Sequence, residues 1–400
     1  MSPGPASPRT GATGGRRVAL VHDWLTGMRG GEMVLEAMAS LFPGAPIHTL
    51  FHFPGSVSPT LEAHPIHTSF LQHAPFLEKH YRGYLPLFPA AVEDLDLSEA
   101  ELVLSSSHCV AKGIIPPPGA EHVCYCHTPM RYAWDQERAY FPRRRGLTAR
   151  VRGLALSALR AWDVGASQRV DRFLANSSFV ARRIERYYRR DAEVLAPPVD
   201  TAYYTPPENS PEGSSGPGEE YCLMVSALAP YKRVDLAAGA CAAAGIELRV
   251  VGTGPERRRL ESLAGPRTHF LGRVGQEELR ELYRGARFLL QPGVEDFGIA
   301  PVEALACGTP VVALGEGGVL DIVESGTHGI LYPDSDSMGA IQQAIDMASK
   351  IRFNTLDLRR RAERFSVPNF LDRLRSLLGL SSPDDPGGVH GPDHPKEAHP

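Results

Sequence analysis

Glu295 and Glu303 are separated by seven residues, with Phe297, Gly298 and Ile299 between them. The aliphatic run 287–292 before them reads as a short buried strand. Residues 301–306 read as a first helical turn, with Pro301 pre-setting the backbone and Gly308 stopping it. Glu295 then falls on a loop at a strand's exit and Glu303 just inside a helix start. Gly298 lets the backbone approach a ligand, and the unpaired N–H groups of a helix start can receive an anion such as a diphosphate. Carboxylates accept hydrogen bonds from vicinal hydroxyl pairs, so one acid can hold a sugar and the other a ribose. Two isolated acids in this pattern are equally a solvated loop charge and a helix-dipole charge worth under about 1 kcal/mol.

Other chemistry-bearing residues recur at the ends of strand-like runs. The run 17–21 ends in a loop whose glycines, Gly27, Gly30 and Gly31, precede a helical pattern from Met33. The spacing is GxxGG and not the GxGxxG of a dinucleotide fold, and the ribose acid of that fold is missing, which argues against a dehydrogenase. Residues 123–126 run into His127-Thr-Pro-Met-Arg-Tyr-Ala-Trp-Asp135, placing an imidazole at a strand's carboxyl end, where ligands of open α/β sheets gather. Residues 221–225 lead to Lys232 and Arg233, adjacent cations that suit an anionic ligand better than a core.

The elements needed to position these residues follow from the hydrophobic pattern. Strands are expected at 17–21, 47–51, 102–105, 123–126, 170–174 and 193–195, with an aromatic helix over 76–87 and an apolar helix over 154–162. A second set is expected at 221–225, 247–251, 268–271, 287–291 and 310–314, with later helices at 338–350 and 370–378. Ser177 and Ser178 can cap a helix beginning near Phe179. Alternation of strands and helices predicts parallel sheets. The reading is a disordered leader over 1–15, a first domain over 16–200, a linker and glycine-, proline- and serine-rich insertion over 201–220, a second domain over 221–380 whose last helix can pack back on the first, and a disordered tail over 381–400.

Composition bounds the function class. Four hundred residues, 42% hydrophobic and 22% charged, suit a globular protein of two domains. A net charge of −4 argues against a nucleic-acid binder. Between Arg143 and Arg190 the average is broken by thirteen arginines against Asp163, Asp171 and Glu185. That region is either a solvated helix face or a surface for anionic lipid or a lipid-linked diphosphate. Six cysteines without CxxC spacing point to free thiols in a reducing cytoplasm and to no zinc site. No run has the length and apolarity of a signal peptide or a membrane span, so a cytoplasmic protein is expected. Two D-x-D tripeptides, at 94–96 and 334–336, read as helix-end or turn acids and not as a metal site.

The E-x7-E spacing, with Phe297-Gly298 inside and Glu303-Ala-Leu-Ala-Cys-Gly-Thr-Pro-Val-Val312 following, resembles the donor-site signature of glycosyltransferase family 4, retaining enzymes of the GT-B fold. The segment 127–135 resembles the mannosyltransferase branch that builds bacterial surface polysaccharides and exopolysaccharides. The resemblance spans roughly residues 16 to 380 and implies two Rossmann-like domains whose parallel sheets face each other across a cleft. By that resemblance His127 faces the transferring sugar, Glu295 positions its hydroxyls, Glu303 holds the ribose and Val274 touches the base. Gly30 and Gly31 would face the donor phosphates, and Phe297, Gly298 and Ile299 would complete the donor loop. In the family an arginine and a lysine hold the diphosphate; Lys232 matches the lysine, but Ala227 occupies the arginine position, and Arg233 is expected to substitute.

The implied activity is transfer of a hexosyl group, mannose from GDP-mannose, to a lipid-linked or polysaccharide acceptor, with no metal and no cofactor. The competing readings are a UDP-sugar donor on the same fold, a nucleotide-sugar epimerase, and a scaffold whose sugar-nucleotide site has decayed.

Overall fold

The computed structural model describes residues 15–135, 147–208, 221–333 and 336–380. The expected tail, nearly all of the expected leader, most of the 208–220 insertion, Arg143 to Arg145 and Asp334 lie outside the described residues.

Two parallel sheets form the molecule, as the alternating pattern requires. The first holds β1 (Val18–His22), β2 (Ile47–Thr49), β3 (Ile66–Thr68), β4 (Leu102–Ser107), β5 (Glu121–Cys126), β6 (Arg172–Ala175) and β7 (Ala192–Val194), in the order β3-β2-β1-β4-β5-β6-β7. The second holds β8 (Tyr221–Val225), β9 (Glu247–Val251), β10 (Thr268–Gly272), β11 (Phe288–Gln291), β12 (Val311–Leu314) and β13 (Gly329–Tyr332), in the order β10-β9-β8-β11-β12-β13. In both sheets the strand order reverses beside the first strand, between β1 and β4 and between β8 and β11. Ligands of open α/β sheets bind at the carboxyl ends of strands at such a reversal.

Helices cover both faces of each sheet. The first domain has α1 (Gly30–Ser40), α2 (Pro59–Glu62), α3 (Leu77–His80), α4 (Phe88–Glu93), α5 (Leu147–Ser167) and α6 (Ser178–Tyr188). The second has α7 (Val234–Ala244), α8 (Arg257–Leu263), α9 (Gln276–Gly285), α10 (Ile299–Ala306), α11 (Met338–Ala348) and α12 (Thr355–Glu363). A last helix, α13 (Val367–Leu378), returns to the first domain, where Phe370, Leu374, Leu377 and Leu378 join the core of Leu20, Leu35, Leu104 and Tyr125. Arg172 Nη1 fixes it by donating to the Leu377 carbonyl at 2.7 Å.

Local chemistry accounts for most boundaries. Ser177 caps α6 by accepting the Val180 N–H at 3.1 Å. The aromatic helix expected over 76–87 is instead the single turn α3 followed by a 3-10 stretch, Tyr81–Leu87. Phe76 enters it at φ +54°, and Pro86 removes a backbone donor that a continuous helix would use. The helix expected over 154–162 runs over the 21 residues of α5. Among the elements not anticipated, which include β3, α7 and α9, are β13 and α12. The first depends on Gly329, where a Cβ would lie 1.8 Å from the Val311 carbonyl oxygen of the neighbouring strand. The second is capped by Asn354 through the Leu356 N–H at 2.9 Å.

Candidate active site

The loop between β11 and α10 forms one wall of a pocket at the reversal of the second sheet. Gly298 adopts φ +95° as the N-cap of α10, a conformation open to glycine, and the helix begins at Ile299. Pro301 is thus the third helical residue rather than the first, and Glu303 lies in the second turn, further inside the helix than the sequence implied. Ser226, Lys232, Gln291, Gly293, Glu295 and Gly298 to Ala300 line the pocket. Gly293 allows the opposite wall to close in, since a Cβ there would meet the Tyr231 carbonyl oxygen at 2.5 Å. The Nε2 of Gln291, a residue only 9% exposed, finds no partner among the described residues. A buried amide donor without a partner is costly unless a ligand completes it.

Lys232 contacts the Glu295 carboxylate directly. Burial, and then the nearby Arg131 guanidinium, pull its ammonium down to about 7, while Asp296 works the other way. An anion entering the pocket restores the charge by stabilising the protonated form.

His127 stands at the carboxyl end of β5, its Nε2 2.8 Å from Ser106 Oγ, and that hydroxyl is 3.1 Å from His22 Nδ1. Burial pushes the His127 imidazole well below 6.5, helped by His108 and His22, so it is neutral near pH 7 and acts by hydrogen bonding. His108 is different: Asp23 pairs with it at 2.9 Å and raises it against the pull of burial. Asp23 also accepts the backbone N–H groups of His108, Cys109, Val110 and Ala111 at 2.6 to 3.0 Å, which fixes the turn after β4. A Cβ on Gly31 would lie 3.4 Å from His22 Cε1 and 3.8 Å from His127 Nε2. One on Gly30 would lie 3.0 Å from Ile299 Cδ1 of the second domain. The glycine pair is therefore where the two cleft walls meet.

Asp296 joins those walls. It accepts from Arg131 Nε at 2.8 Å and Arg183 Nη1 at 2.7 Å, and its carbonyl accepts from Ser177 Oγ at 2.5 Å. Asp321 accepts the Ser178 N–H at 2.6 Å. Asn176 Nδ2 donates to the His127 carbonyl at 2.9 Å, tying the start of α6 to the histidine.

Of the residues named from sequence, the structure gathers Gly30, Gly31, His127, Lys232, Glu295, Gly298 and Ile299. It turns the others elsewhere. Arg233, at φ +53°, pairs with Asp336 and lies 3.6 Å from Asp235, so it does not supply the cation missing at Ala227. Phe297 is buried in the second core against Phe365, with ring centroids 5.6 Å apart. Val274 packs at the edge of the same core, away from the pocket. Glu303 Oε2 accepts from Tyr283 Oη at 2.6 Å and does not line the pocket. Sequence reasoning missed Arg131, Asp296, Gln291 and Ser106; Arg131 and Asp296 lay inside quoted motifs, whereas nothing local marks Gln291. Of the D-x-D acids, Asp94 ends α4 and Asp96 accepts the Ser98 N–H in a turn. A larger cavity beside the starts of β1 and β2 and the edge strand β3, lined by Phe42, His48, His67 and Leu95 together with Asp94 and Asp96, holds none of the residues expected at the donor site.

The Glu303 carboxyl makes a measurable prediction. Burial raises it from about 4.5 to about 7, opposed by the Tyr283 hydrogen bond. A raised folded value means that its stabilising effect is complete below the unfolded value and is lost as pH rises through 7. Glu303→Gln, neutral at every pH, is expected to match wild type in denaturant titrations at pH 4.5 and to exceed it at pH 8.5 by on the order of 3 kcal/mol. Equal differences at both pH values would refute the buried, neutral carboxyl.

Residues 28–203 match the sequence model described as "Glycosyltransferase Family 4", and residues 207–365 match "Glycosyl transferases group 1". The D-inositol 3-phosphate glycosyltransferase of Rhodococcus erythropolis is 30% identical over 54% of this chain and 55% of its own length. The GDP-mannose-dependent alpha-mannosyltransferase of Mycobacterium tuberculosis is 33% identical over 43% of this chain and 47% of its own. The chain thus spans about half the length of these curated relatives. Anabaena HepE, solved with UDP and glucose, superposes with a TM-score of 0.67 at 18% identity, covering 91% of this chain and 99% of that one. Sucrose-phosphate synthase from Thermosynechococcus elongatus superposes at 0.68 with 17% identity over 90% and 98%. Both share the fold. Two facing Rossmann-like domains with a pocket at the carboxyl ends of the second sheet make up the GT-B fold. The chain belongs to glycosyltransferase family 4.

Proposed function

We propose that the protein is a retaining mannosyltransferase that takes mannose from GDP-mannose and passes it to a lipid-linked or polysaccharide acceptor. The observation that carries the donor site is the start of α10 facing Lys232 and the unpartnered Gln291 amide, across from His127 and the glycine pair. The mannosyl assignment is supported by the M. tuberculosis relative, whose name specifies GDP-mannose.

In this reading the anomeric C–O bond breaks with positive charge growing on the sugar ring and negative charge on the diphosphate. Lys232 and the first N–H groups of α10 stabilise the departing diphosphate without a metal ion. Lys232 leaves Glu295 for the phosphates, and the freed carboxylate takes the sugar hydroxyls. Neutral His127, its Nε2 held by Ser106, positions the sugar from the opposing domain. The acceptor hydroxyl attacks from the face the diphosphate leaves and passes its proton to the departing phosphate oxygen, so configuration is retained. A glycosyl adduct trapped on a side chain of the protein would overturn that route.

Calorimetric titration with GDP, GDP-mannose, UDP and UDP-glucose in EDTA tests the donor. Guanine nucleotides are expected to bind at least about tenfold tighter than uracil nucleotides, a difference of about 1.4 kcal/mol. Uracil preference would move the assignment to a UDP-sugar, and no binding would favour a decayed scaffold. Turnover of the donor alone, without acceptor, would instead indicate an epimerase.

The enzyme would work at the cytoplasmic membrane face. Among the described residues no helix is long and apolar enough to cross a bilayer, and α5 instead exposes Val151 (57%) and Leu154 (73%) beside Arg150. Such a surface suits anionic lipid. Co-flotation with anionic vesicles at low salt, lost at high salt, is expected; equal binding to neutral vesicles would contradict it.

A further inference from the structure

The donor pocket is short of positive charge. A nucleotide sugar brings a doubly charged diphosphate that gains further charge as it leaves. Lys232 is matched by Glu295, and its chain neighbour Arg233 is directed to Asp336 and Asp235. A helix start supplies partial charge only.

A second full charge stands behind the pocket's lining, beside Lys232, and comes from the opposite domain. The Arg131 guanidinium lies 5.6 Å from the centroid of the Tyr231 ring, and Lys232 Nζ lies 5.0 Å from the same centroid. Both cations thus rest on one aromatic side chain beside the pocket. Asp296 holds Arg131 through Nε at 2.8 Å and Nη2 at 2.5 Å, and Asp296 directly follows Glu295, the partner of Lys232. The guanidinium has donors on two edges, so an acceptor on the other edge can be served while Asp296 keeps the first. Asp296 also accepts from Arg183, so it stays neutralised if Arg131 shifts.

Resting on the donor-site reading above, we propose that Arg131 is the second cation of the diphosphate site. It engages the phosphate nearest the sugar from across the cleft, in place of the cation absent at Ala227. The position fits that phosphate because Arg131 lies four residues after His127, on the wall that faces the sugar, and beside Lys232 and Glu295. Two like charges beside one ring repel, and a bound diphosphate relieves that repulsion. Because Arg131 belongs to the first domain and Lys232 to the second, the same contact draws the cleft shut on the donor.

The test compares nucleoside diphosphates with monophosphates, using GDP, GMP, UDP and UMP on wild type, Arg131→Gln, Arg131→Lys and Arg233→Gln. For Arg131→Gln the preference for diphosphate over monophosphate is expected to fall about tenfold or more, with monophosphate affinity within about threefold of wild type. Arg131→Lys is expected to keep part of the preference, since an ammonium cannot present two parallel donors, and Arg233→Gln to keep all of it. If Arg131→Gln does not fold, Arg131→Lys carries the test, with a fall of about threefold expected and an unchanged preference overturning the proposal. A purely structural Arg131 would weaken both ligand types equally, and that result overturns the assignment, as does a loss of preference in Arg233→Gln. A wild type that binds no nucleoside diphosphate overturns the donor-site reading and the assignment with it. A wild type that binds, with Arg131→Gln unchanged, overturns the assignment alone.

Discussion

Lys232→Ala is expected to lower kcat/KM for glycosyl transfer by about 10²- to 10³-fold, the usual cost of removing one preorganised donor aimed at developing negative charge. The ammonium lies in a buried pocket beside the start of α10, where water screens it little, and among the described residues no second lysine lines that pocket. Its loss also leaves the Glu295 carboxylate without its partner on the sugar side. Initial rates with the donor that titration identifies would measure the effect, and a loss smaller than about threefold would remove Lys232 from the mechanism. The pH profile gives a second readout. With the free-enzyme ammonium at about 7, donor capture falls as pH rises through 7, because binding needs the charged form. Lys232→Arg keeps its proton throughout that range and is expected to flatten the alkaline limb, whatever it does to the maximal rate.

Asp163→Ala is expected to destabilise the first domain by about 3–5 kcal/mol, which is a large part of the net stability of most domains. Asp163 is fully buried in α5 and forms an ion pair with Lys112, itself buried, at 2.6 Å. It also accepts from Trp134 Nε1 and Tyr188 Oη, each at 2.8 Å. Removing the carboxylate strands a buried ammonium, which that carboxylate holds above its ordinary value against the pull of burial, and leaves two further donors unmatched. Chemical denaturation monitored by tryptophan fluorescence would show the midpoint shift. The double variant Asp163→Leu with Lys112→Met is expected to recover the share owed to the stranded ammonium but not that of the Trp134 and Tyr188 donors, which stay unmatched. A single-variant loss below about 1 kcal/mol would show that water reaches the pair. The network also bears on the site, since Trp134 closes the segment that begins at His127 and contains Arg131.

Strand and helix alternation was legible because a buried parallel strand is a continuous aliphatic run and each glycine- or serine-led loop punctuates it, as at Val18–His22 and Ser177. The failures have equally local causes. Aromatic periodicity over 76–87 hid the effect of Pro86, and the four residues of β13 are too few to show a period. α12 carries Arg359, Arg360 and Arg361 in succession, which masks its apolar face. Within the site, Gly298, Glu295, Lys232 and His127 were legible because each lies in a segment that follows a strand's carboxyl end.

By itself the sequence determined the fold class, the two sheets and the place of the glycine-bearing loop between β11 and α10, since these follow from residue types at short range. Only the tertiary structure decided which side chains face the pocket. Arg233 and Lys232 are neighbours in the chain, yet the left-handed turn at Arg233 sends its side chain out to Asp336. Phe297 and Glu303 belong to the signature but are drawn into the second core and to Tyr283, where burial of a ring and a hydrogen bond from a hydroxyl outweigh exposure to solvent. The interdomain contact between Arg131 and Asp296 joins residues 165 positions apart, and no periodicity or spacing encodes a pairing formed only when two separately folded sheets come face to face.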